Sequence, residues 1–554
     1  MKTTLLAWLL FACATIATQA QTIEWIKKQD VYVDNNAFPG IYIVNSPTIA
    51  LADSVVFTAS EVYDSTIYSN ITVIRRNDYA GNVGWRKELR SNSTTTNPFA
   101  VTSFLIGADA GQNAVITGRF KDFLLLGGDT IFNLSGINTF LLKIDGAGNV
   151  VWVQQVPMDV SADMDAAGNI YLTGTFSGTT TIGNQVISNT INQSSEIYIA
   201  KLNPAGQVQW IRTAGTGNNE QVYSIKVSPA GEAVIYGTVV NGATFRGAGA
   251  GNNYTIPDSG TFVVKYNTAG TINWGKVITG ASSSVGSMDV DDTGNIYLFG
   301  YLWSADLVFD NLVLQKDTSK FMQYFIAKAD GNGNWLWVNK LSMEGHYARV
   351  IRMVVGKEIY LTGSFVDTLR MAQQISYSEF GSTFIAGYDA GGNESWLKTL
   401  HGSSANAGLH LAVHEKDLFV SGFFYDSLYT QVDTIVSPLG KQPWCPMGVN
   451  DTWLAKFSTP VTTAINKQLT KNLRQLYLYP NPATETLTIE AELEKPQPVT
   501  LKLLNMLGQE LQTVRLGEQQ NVQHQLQVQH LPKGMYLLQL QAGAETVTQR
   551  VVVE

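Results

Sequence analysis

The segment Asp165-Ala-Ala-Gly-Asn-Ile-Tyr-Leu-Thr-Gly-Thr-Phe176 decides the fold, because near-copies of it return along the chain. Close copies are Asp292-Thr-Gly-Asn-Ile-Tyr-Leu-Phe-Gly-Tyr301 and Gly356-Lys-Glu-Ile-Tyr-Leu-Thr-Gly-Ser-Phe365, and looser ones lie at Gly231–Gly237 and Lys416–Phe423. In each copy a turn leads into a short apolar strand that closes on glycine. Repetition of one unit along a chain indicates a repeat architecture.

A second motif recurs in step with the first and predicts a β-hairpin. Phe140-Leu-Leu-Lys-Ile-Asp145 leads into Gly148-Asn-Val-Val-Trp152, and five further copies end on tryptophans 85, 210, 274, 337 and 396. The Asp, Asn and Gly residues between the two strands supply the left-handed turn conformation. Each unit adds a strand like Ser161–Asp165 and the Ile-Tyr-Leu-Thr-Gly strand, so it contains four strands. Four strands per unit indicate one blade of a β-propeller.

The two ends of the repeat region complement each other. The in-phase tryptophans are 58 to 67 residues apart, and Trp25 stands 60 residues before Trp85 without a first half in front of it. At the other end, Asp451–Phe457 is a hairpin strand with no Trp strand after it. We therefore predict seven blades, the last built from three strands of about residues 408–457 and one from residues 23–28. This closure removes open sheet edges, whereas a solenoid would need polar caps.

Length and composition agree with an all-β, multidomain chain. At 554 residues the chain exceeds one ordinary core, and its 49 glycines suit many tight turns. Charged residues make up 15%, and the net charge is −8 without a visible Lys/Arg stripe. Nucleic acid is therefore not a predicted partner.

The first twenty residues predict a secretory signal peptide. Lys2 supplies the positive end, Leu5–Ala14 the apolar region, and cleavage is expected between Ala20 and Gln21. An alternative is lipidation of Cys13 in a loose lipoprotein box, but the apolar run continues past that cysteine. No other window has eighteen uncharged apolar residues, so no membrane span is expected in the mature chain.

After cleavage only Cys445 remains, so the mature chain has no intramolecular disulfide. Its thiol is interpreted as buried rather than reactive.

The repeat resembles the bacterial β-propeller repeat of the SBBP type, which is found in secreted bacterial proteins. The Asp-x-x-Gly-Asn-Ile-Tyr-Leu-Thr-Gly segment and the Phe-x-Ala-Lys strand carry the resemblance, which covers about residues 22–458. That family is defined by its scaffold, so the resemblance implies a fold and no catalytic residues.

A second domain follows the propeller region, residues 21–458. Residues 459–475 are rich in Thr, Lys and Asn and are interpreted as a linker. Residues 476–554 contain alternating apolar and polar segments, such as Thr486–Glu490 and Val499–Leu504. Six or seven short strands at this spacing predict a small immunoglobulin-like sandwich.

This tail is similar to the type A sorting domain of the type IX secretion system of Bacteroidetes. The similarity rests on Tyr479-Pro-Asn-Pro-Ala483, Leu504-Asn-Met-Leu-Gly-Gln-Glu-Leu511 and Leu531-Pro-Lys-Gly-Met-Tyr536. The motif residues are Pro480, Asn481, Pro482, Asn505, Gly508, Gly534 and Tyr536. The resemblance implies export to the periplasm, recognition of the tail by the type IX machinery at the outer membrane, and removal of the tail. Release or attachment to surface lipopolysaccharide would follow. An accessory carbohydrate-binding sandwich is the alternative interpretation.

Local catalytic motifs are lacking in the sequence. The six histidines have no zinc-site spacing, and neither a Gly-x-Ser-x-Gly elbow nor the sialidase box Ser-x-Asp-x-Gly-x-x-Trp occurs. Asp289-Val-Asp291 and Asp163-Met-Asp165 begin like calcium loops, but Gly300 and Gly174 stand where a bidentate Glu is needed. No cofactor is predicted, and calcium at these turns stays open as an alternative to plain turn chemistry.

The main prediction is an exported, non-enzymatic propeller that acts in binding or surface structure, secreted or held on the outer cell surface. Its glycan or protein ligand is unidentified. Trp444, in the long Tyr429–Asn450 connection, is a candidate ligand contact or a cover for the closing seam. The alternative is a secreted lyase or hydrolase with a site on one propeller face. Clustered carboxylates with perturbed pKa values in the channel would favour the enzyme, and an uncharged channel would favour binding.

Overall fold

The computed structural model describes residues 22–29, 48–64, 69–91, 101–157, 160–189, 194–216, 220–249, 251–280, 283–303, 305–319, 322–341, 352–371, 374–430, 434–436, 450–458, 473–479, 483, 485–505, 509–543 and 545–553. These residues form strands and turns, and no helix occurs among them, which confirms the all-β prediction. The same residues include no helix long and apolar enough to cross a membrane. Two compact units divide the chain, residues 1–460 and residues 461–554. The predicted signal-peptide and linker boundaries fall largely outside the described residues and stay predictions.

The strands of the first unit are, in chain order, β1 (Thr22–Lys28), β2 (Thr48–Ala52), β3 (Val55–Asp64), β4 (Ser69–Asp78), β5 (Val83–Ser91), β6 (Val101–Ala108), β7 (Ala114–Leu126), β8 (Asp129–Ile144), β9 (Val150–Val156), β10 (Ser161–Met164), β11 (Ile170–Phe176), β12 (Thr179–Ile182), β13 (Gln185–Ser188), β14 (Glu196–Leu202), β15 (Val208–Gly215), β16 (Gln221–Val227), β17 (Ala233–Val239) and β18 (Thr244–Arg246). They continue as β19 (Asn253–Thr255), β20 (Gly260–Tyr266), β21 (Ile272–Thr279), β22 (Ser283–Val290), β23 (Ile296–Leu302), β24 (Leu307–Phe309), β25 (Leu312–Leu314), β26 (Gln323–Ala329), β27 (Trp335–Lys340), β28 (Arg352–Val355), β29 (Ile359–Met371), β30 (Gln374–Tyr388), β31 (Glu394–Gly402), β32 (Asn406–His414), β33 (Asp417–Tyr425), β34 (Ser427–Tyr429), β35 (Thr434–Val436) and β36 (Asn450–Ser458).

Antiparallel pairing groups these strands into four-stranded meanders, which we call blades. Blade 1 is β2–β5, blade 2 is β6–β9, blade 3 is β10, β11, β14 and β15, and blade 4 is β16, β17, β20 and β21. Blade 5 is β22, β23, β26 and β27, blade 6 is β28–β31, and blade 7 is β32, β33, β36 and β1. The first strands contact one another in the closed order β2, β6, β10, β16, β22, β28, β32 and again β2. From this pairing order and this cycle we infer a propeller of seven blades.

The N-terminal strand completes the last blade, as predicted from the unmatched Trp25. Strand β1 pairs antiparallel with β36, with Trp25 opposite Lys456. The Trp25 indole N–H donates to the Tyr79 carbonyl in blade 1, at 3.0 Å. The N-terminal strand therefore completes blade 7 and, through Trp25, also contacts blade 1.

The repeated tryptophans pack under the hairpin turn of the next blade. The indole N–H groups of Trp85, Trp152, Trp210 and Trp274 donate to the carbonyls of Gly146, Pro204, Thr268 and Gly331. The left-handed glycine of each turn lies directly on the indole ring, so a Cβ on Gly270 (φ +74°) would come within 2.9 Å of Trp210. This close approach explains why glycine and tryptophan recur together, one blade apart.

Trp396 differs because blade 7 has no hairpin turn to cover it. Its fourth strand comes from the N-terminus, and the Trp396 indole instead donates to the Glu358 carboxylate at 2.8 Å. The side chain is 2% exposed, within the core between blades 6 and 7.

The variable connections between second and third strands cover the outer sheet edges. Hairpin β18–β19 pairs with β15, β24–β25 with β21, and β34–β35 with β31, each on the outer strand of the preceding blade. Pairing of an outer strand protects an edge that could otherwise recruit another chain.

The second unit contains β37 (Leu473–Tyr479), β38 (Thr486–Asn505), β39 (Glu510–Gln527), β40 (Gly534–Ala542) and β41 (Glu545–Val553). The sequence predicted six or seven short strands, whereas two of the observed strands are long. The first part of β38 pairs with β37 and the end of β39, and its second part pairs with β40 and the start of β39. A register irregularity between Glu492 and Gln497 separates the two parts, and one core contains residues of both. The continuous backbone thus merges segments that hydrophobic alternation alone treats as separate strands.

Candidate binding site in the central channel

Two rings of equivalent residues line the channel side of the seven first strands. The second strand of each blade contains the repeated glycine, which is replaced by Ala59 in blade 1. The first ring consists of the first-strand residues that pair with the residue immediately before that position. Its members are Ile49, Phe104, Ser161, Ser224, Ser287, Arg352 and His410. The second ring consists of the first-strand residues whose partner lies two residues earlier in the second strand, nearer the turn. Its members are Leu51, Gly107, Asp163, Lys226, Asp289, Val354 and Ala412.

Alternation along the first strands places these rings on the open side. The neighbouring residues Ile225, Met288, Met353 and Leu411 are between 1% and 6% exposed and belong to the apolar cores between blades. Successive strand residues point to opposite faces. The ring residues beside them therefore face away from those cores, towards the channel, whereas Ile49 is 4% exposed and packs in a separate small apolar cluster with Val56, Phe419 and Leu454.

Several ring side chains bond to the first strand of the next blade. Asp163 accepts the Val227 N–H at 2.8 Å, and Asp289 accepts the Val355 N–H at 2.7 Å. Ser161 and Ser287 accept from Ile225 and Met353, both at 3.3 Å. His410 Nδ1 accepts the Ile49 N–H at 3.4 Å, across the junction of blades 7 and 1. These bonds satisfy backbone donors that no strand of the same blade reaches.

The charged part of the second ring is a lysine between two aspartates. Lys226 Nζ lies 3.6 Å from Asp289 Oδ1, and its side chain is 34% exposed. Burial lowers the pKa of Lys226, but Asp163 and Asp289 outweigh it, so the pKa is raised. Burial raises the pKa of Asp163, and Lys226 offsets this only in part. One ammonium group is shared by two carboxylates, so a net negative charge remains. The negative charge of Asp289 therefore also raises the pKa of Asp163.

Arg352 is the exposed cation of the first ring. No described carboxylate lies within ion-pair distance of its guanidinium, and it acts electrostatically on Lys226, Tyr236 and His410. Burial, with Arg352 and Lys226, lowers the pKa of His410 to about 3, so the imidazole is neutral at physiological pH. Phe104, in the same ring, is 48% exposed. The channel thus combines a cation, a neutral imidazole and an exposed aromatic ring.

The aspartates of the repeated turns are bonded within their turns. Asp165 Oδ1 accepts the N–H groups of Ala167 and Asn169, and Asp165 Oδ2 accepts the Tyr171 hydroxyl. Asp291 has the same bonds to Thr293, Asn295 and Tyr297. Asp163 and Asp289 bond instead to the next blade. In each Asp-x-Asp pair, the first aspartate therefore joins two blades and the second holds the turn. The geometry therefore favours turn chemistry over calcium at these turns.

Some predicted site residues lie outside the described residues: Ala20, Gln21, Trp444, Cys445, Pro480, Asn481, Pro482 and Gly508. The described tail residues organise turns. Asn505 Oδ1 accepts the Gln509 N–H at 3.0 Å, and the Tyr536 hydroxyl donates to the Pro532 carbonyl at 2.6 Å. Gly534 is the first residue of β40 and lies between Pro532 and Tyr536 in the chain. The sequence alone did not identify Lys226, Arg352 and His410 as a group. A usable signal was the spacing before the turns, which is Ser-x-Asp at 161–163, Ser-x-Lys at 224–226 and Ser-x-Asp at 287–289.

Comparison with known proteins identifies the tail. Residues 477–554 match the family model described as the secretion system C-terminal sorting domain. No curated protein matches the chain.

Among solved structures, similar chains include an ulvan lyase of polysaccharide lyase family PL25 bound to -[GlcA(1-4)Rha3S]-, at 11% identity and TM-score 0.37, covering 72% of this chain and 93% of that one. The phage phi92 endosialidase is 11% identical at TM-score 0.36, covering 83% and 73%. A fungal alcohol oxidase of the AA5 family in complex with copper is 13% identical at TM-score 0.36, covering 97% and 99%. Similarity at these low scores supports no argument about function.

Proposed function

We propose that the chain is delivered by its sorting domain through the type IX route and that its propeller acts outside the cell as a non-enzymatic binding or structural protein. The family match of residues 477–554 supports export. In this proposal the tail binds the type IX machinery, is removed, and leaves the propeller secreted or attached to surface lipopolysaccharide.

The observation that carries the non-enzymatic part is the bonding of the channel carboxylates. Asp163 and Asp289 each accept a backbone N–H of the next blade, and Lys226 lies between them. A general acid or base must reach a substrate proton directly. By the criterion set from the sequence, two clustered channel carboxylates, one of them Asp163 with a raised pKa, favour the enzyme. Their engagement in joining neighbouring blades is the ground on which we prefer a structural role for them.

Arg352 and Phe104 are exposed ring side chains that are open to a ligand. A guanidinium donates to carboxylate or sulfate oxygens, and an aromatic ring packs on an apolar face. We propose that the channel ligand carries an anionic group and an apolar face, as acidic sugars and many peptides do.

The test measures binding and turnover on the same protein. The full chain is screened against immobilised neutral and acidic glycans, and each bound glycan is then incubated with the chain and analysed for shortened or unsaturated products. Binding to acidic glycans without products, weakened by Arg352→Ala and unaffected by Lys316→Ala, is expected. Product formation would contradict the non-enzymatic proposal, and silence on every glycan would contradict sugar binding.

One observation favours a second candidate, a secreted glycan-active lyase or hydrolase. Arg352 acts electrostatically on the neutral imidazole of His410 in the first ring, and lyase chemistry needs a cation near a carboxylate and a proton acceptor. If this candidate is correct, products form, and His410→Ala abolishes them while leaving glycan binding within about threefold of the unmodified chain.

A further inference from the structure

We propose that Glu196 and Glu220 hold a calcium ion at the junction of blades 3 and 4. Glu196 begins β14 in blade 3, and Glu220 directly precedes β16, the first strand of blade 4. They are 4% and 1% exposed, which is rare for carboxylates that have no cationic partner. The site is separate from the channel rings and does not depend on the proposed function.

The two carboxylates have oxygen atoms left without hydrogen bonds. Glu220 Oε1 accepts the N–H of Thr216 at 2.7 Å and also its hydroxyl. Glu220 Oε2 is buried and has no hydrogen-bond partner. The Glu196 carboxylate makes no hydrogen bond to any residue that the structure describes. A buried, unsatisfied carboxylate oxygen is costly and requires a cation or a proton.

Both side chains pack closely beside Gly215. A Cβ on Gly215 would lie 3.1 Å from Glu220 Oε2 and 3.1 Å from Glu196 Cγ. The unsatisfied oxygen of Glu220 and the side chain of Glu196 are therefore close to the same point beside Gly215. A side chain at position 215 would press against both glutamates.

The local charge is not neutralised by protein cations. Burial raises the pKa of Glu196, Arg246 lowers it and Glu220 raises it, with a net increase. Arg246 is beyond ion-pair distance of Glu196, and its guanidinium donates to Thr213 Oγ1 at 3.2 Å. Two carboxylates thus face one more distant guanidinium. This leaves room for a further positive charge.

Calcium suits this arrangement better than other common cations. Calcium binds carboxylate, carbonyl and water oxygens in flexible geometry at about 2.3–2.6 Å, and sites in extracellular proteins need only about 10⁻⁴–10⁻³ M affinity. Two glutamates would supply the charged ligands, and carbonyl oxygens and water would complete the shell. The alternative is a proton shared by the two carboxylates.

The experiment uses the full chain, stripped with a chelator and titrated with calcium chloride by calorimetry, with thermal unfolding in parallel. We expect one calcium ion per chain with a dissociation constant of about 10⁻³ M or tighter, and a higher unfolding temperature with calcium. Glu220→Gln and Glu196→Gln should each weaken binding at least tenfold. Glu379→Gln, an exposed glutamate in blade 6, serves as the matched control and should bind as the unmodified chain does.

Stability without calcium separates lost binding from misfolding. In chelator at neutral pH, Glu220→Gln should unfold at the same temperature as the unmodified chain or a higher one, because it removes an uncompensated buried charge while keeping the acceptor for Thr216. Calcium should no longer raise that temperature. Absence of calcium binding to the unmodified chain, or binding that survives both substitutions, would overturn the proposal. Stabilisation by acid in place of calcium would assign the site to a shared proton.

Discussion

Substitution of Gly270 by alanine tests whether the turn glycines are required by the tryptophan below them. Gly270 has φ +74°, and an added Cβ would lie 2.9 Å from the Trp210 ring and 3.0 Å from Arg212 Nη2. The Trp210 indole and Arg212 both donate to carbonyls of this turn, at 3.0 Å each. The methyl group must therefore displace groups that hold blade 3 to blade 4.

The expected magnitude has two parts. A left-handed conformation costs alanine about 1–2 kcal/mol, and forcing a methyl group against packed neighbours costs a further ~1–3 kcal/mol. Gly178→Ala is the matched control, since Gly178 has φ +66° and nothing within 4 Å of its added Cβ. It carries the first cost without the second. We expect Gly270→Ala to be less stable than Gly178→Ala by about 1–3 kcal/mol.

The assay is denaturant unfolding of both variants, followed by tryptophan fluorescence and by far-ultraviolet circular dichroism. Repeating Gly270→Ala in a Trp210→Leu background should reduce its penalty, because the two sites are in contact. Equal stabilities of Gly270→Ala and Gly178→Ala would refute the packing explanation and leave backbone conformation as the only role of the glycine. An unchanged penalty in the Trp210→Leu background would do the same.

Three further predictions concern closure, the acidic turns and the tail. Trp25→Ala should destabilise the propeller by about 3–5 kcal/mol, measured by thermal unfolding, because it removes the indole ring and its bond to Tyr79 across the closing junction. The control Trp303→Ala, at a residue 42% exposed, should change stability by less than about 0.5 kcal/mol. Equal effects of the two substitutions would contradict the closure role. Hydrogen bonds from the N–H groups of Asn149 and Ala147 hold the pKa of Asp145 below its usual value, so its contribution is present above the unfolded pKa and lost as the pH falls through the folded one. Asp145→Asn should therefore be less stable than the unmodified chain at neutral pH and lose less stability on acidification, so that the two converge at low pH. A variant that matches the unmodified chain at neutral pH, or that loses more stability in acid, would contradict this. Tyr536→Phe should destabilise the C-terminal unit by about 0.5–1.5 kcal/mol by removing the bond to the Pro532 carbonyl, whereas Tyr377→Phe, at an exposed residue of blade 6, should leave the unfolding of both units unchanged.

Much of the fold could be predicted because the repeat is local and periodic. The Ile-Tyr-Leu-Thr-Gly segments and the in-phase tryptophans each mark one strand of one blade, and the unmatched Trp25 marked the strand that joins the two ends. The tail was recognisable for the same reason, since Tyr536 and the residues before it form a local turn. Strand lengths in the tail were wrong because alternation does not reveal where a long strand bends and changes partner.

The sequence by itself determined the blade pattern and the sorting tail, because each depends on residues close together in the chain. It also determined the closing strand, because Trp25 lacks a first half in front of it and Asp451–Phe457 lacks a Trp strand after it. Only the tertiary structure placed Asp163 of blade 3 and Asp289 of blade 5 around Lys226 of blade 4. It also brought Glu196 and Glu220 together beside Gly215. These groups meet because equivalent strands of separate repeats line one channel and one junction. Charge sharing across blades is therefore a property of the ring, and no single repeat encodes it.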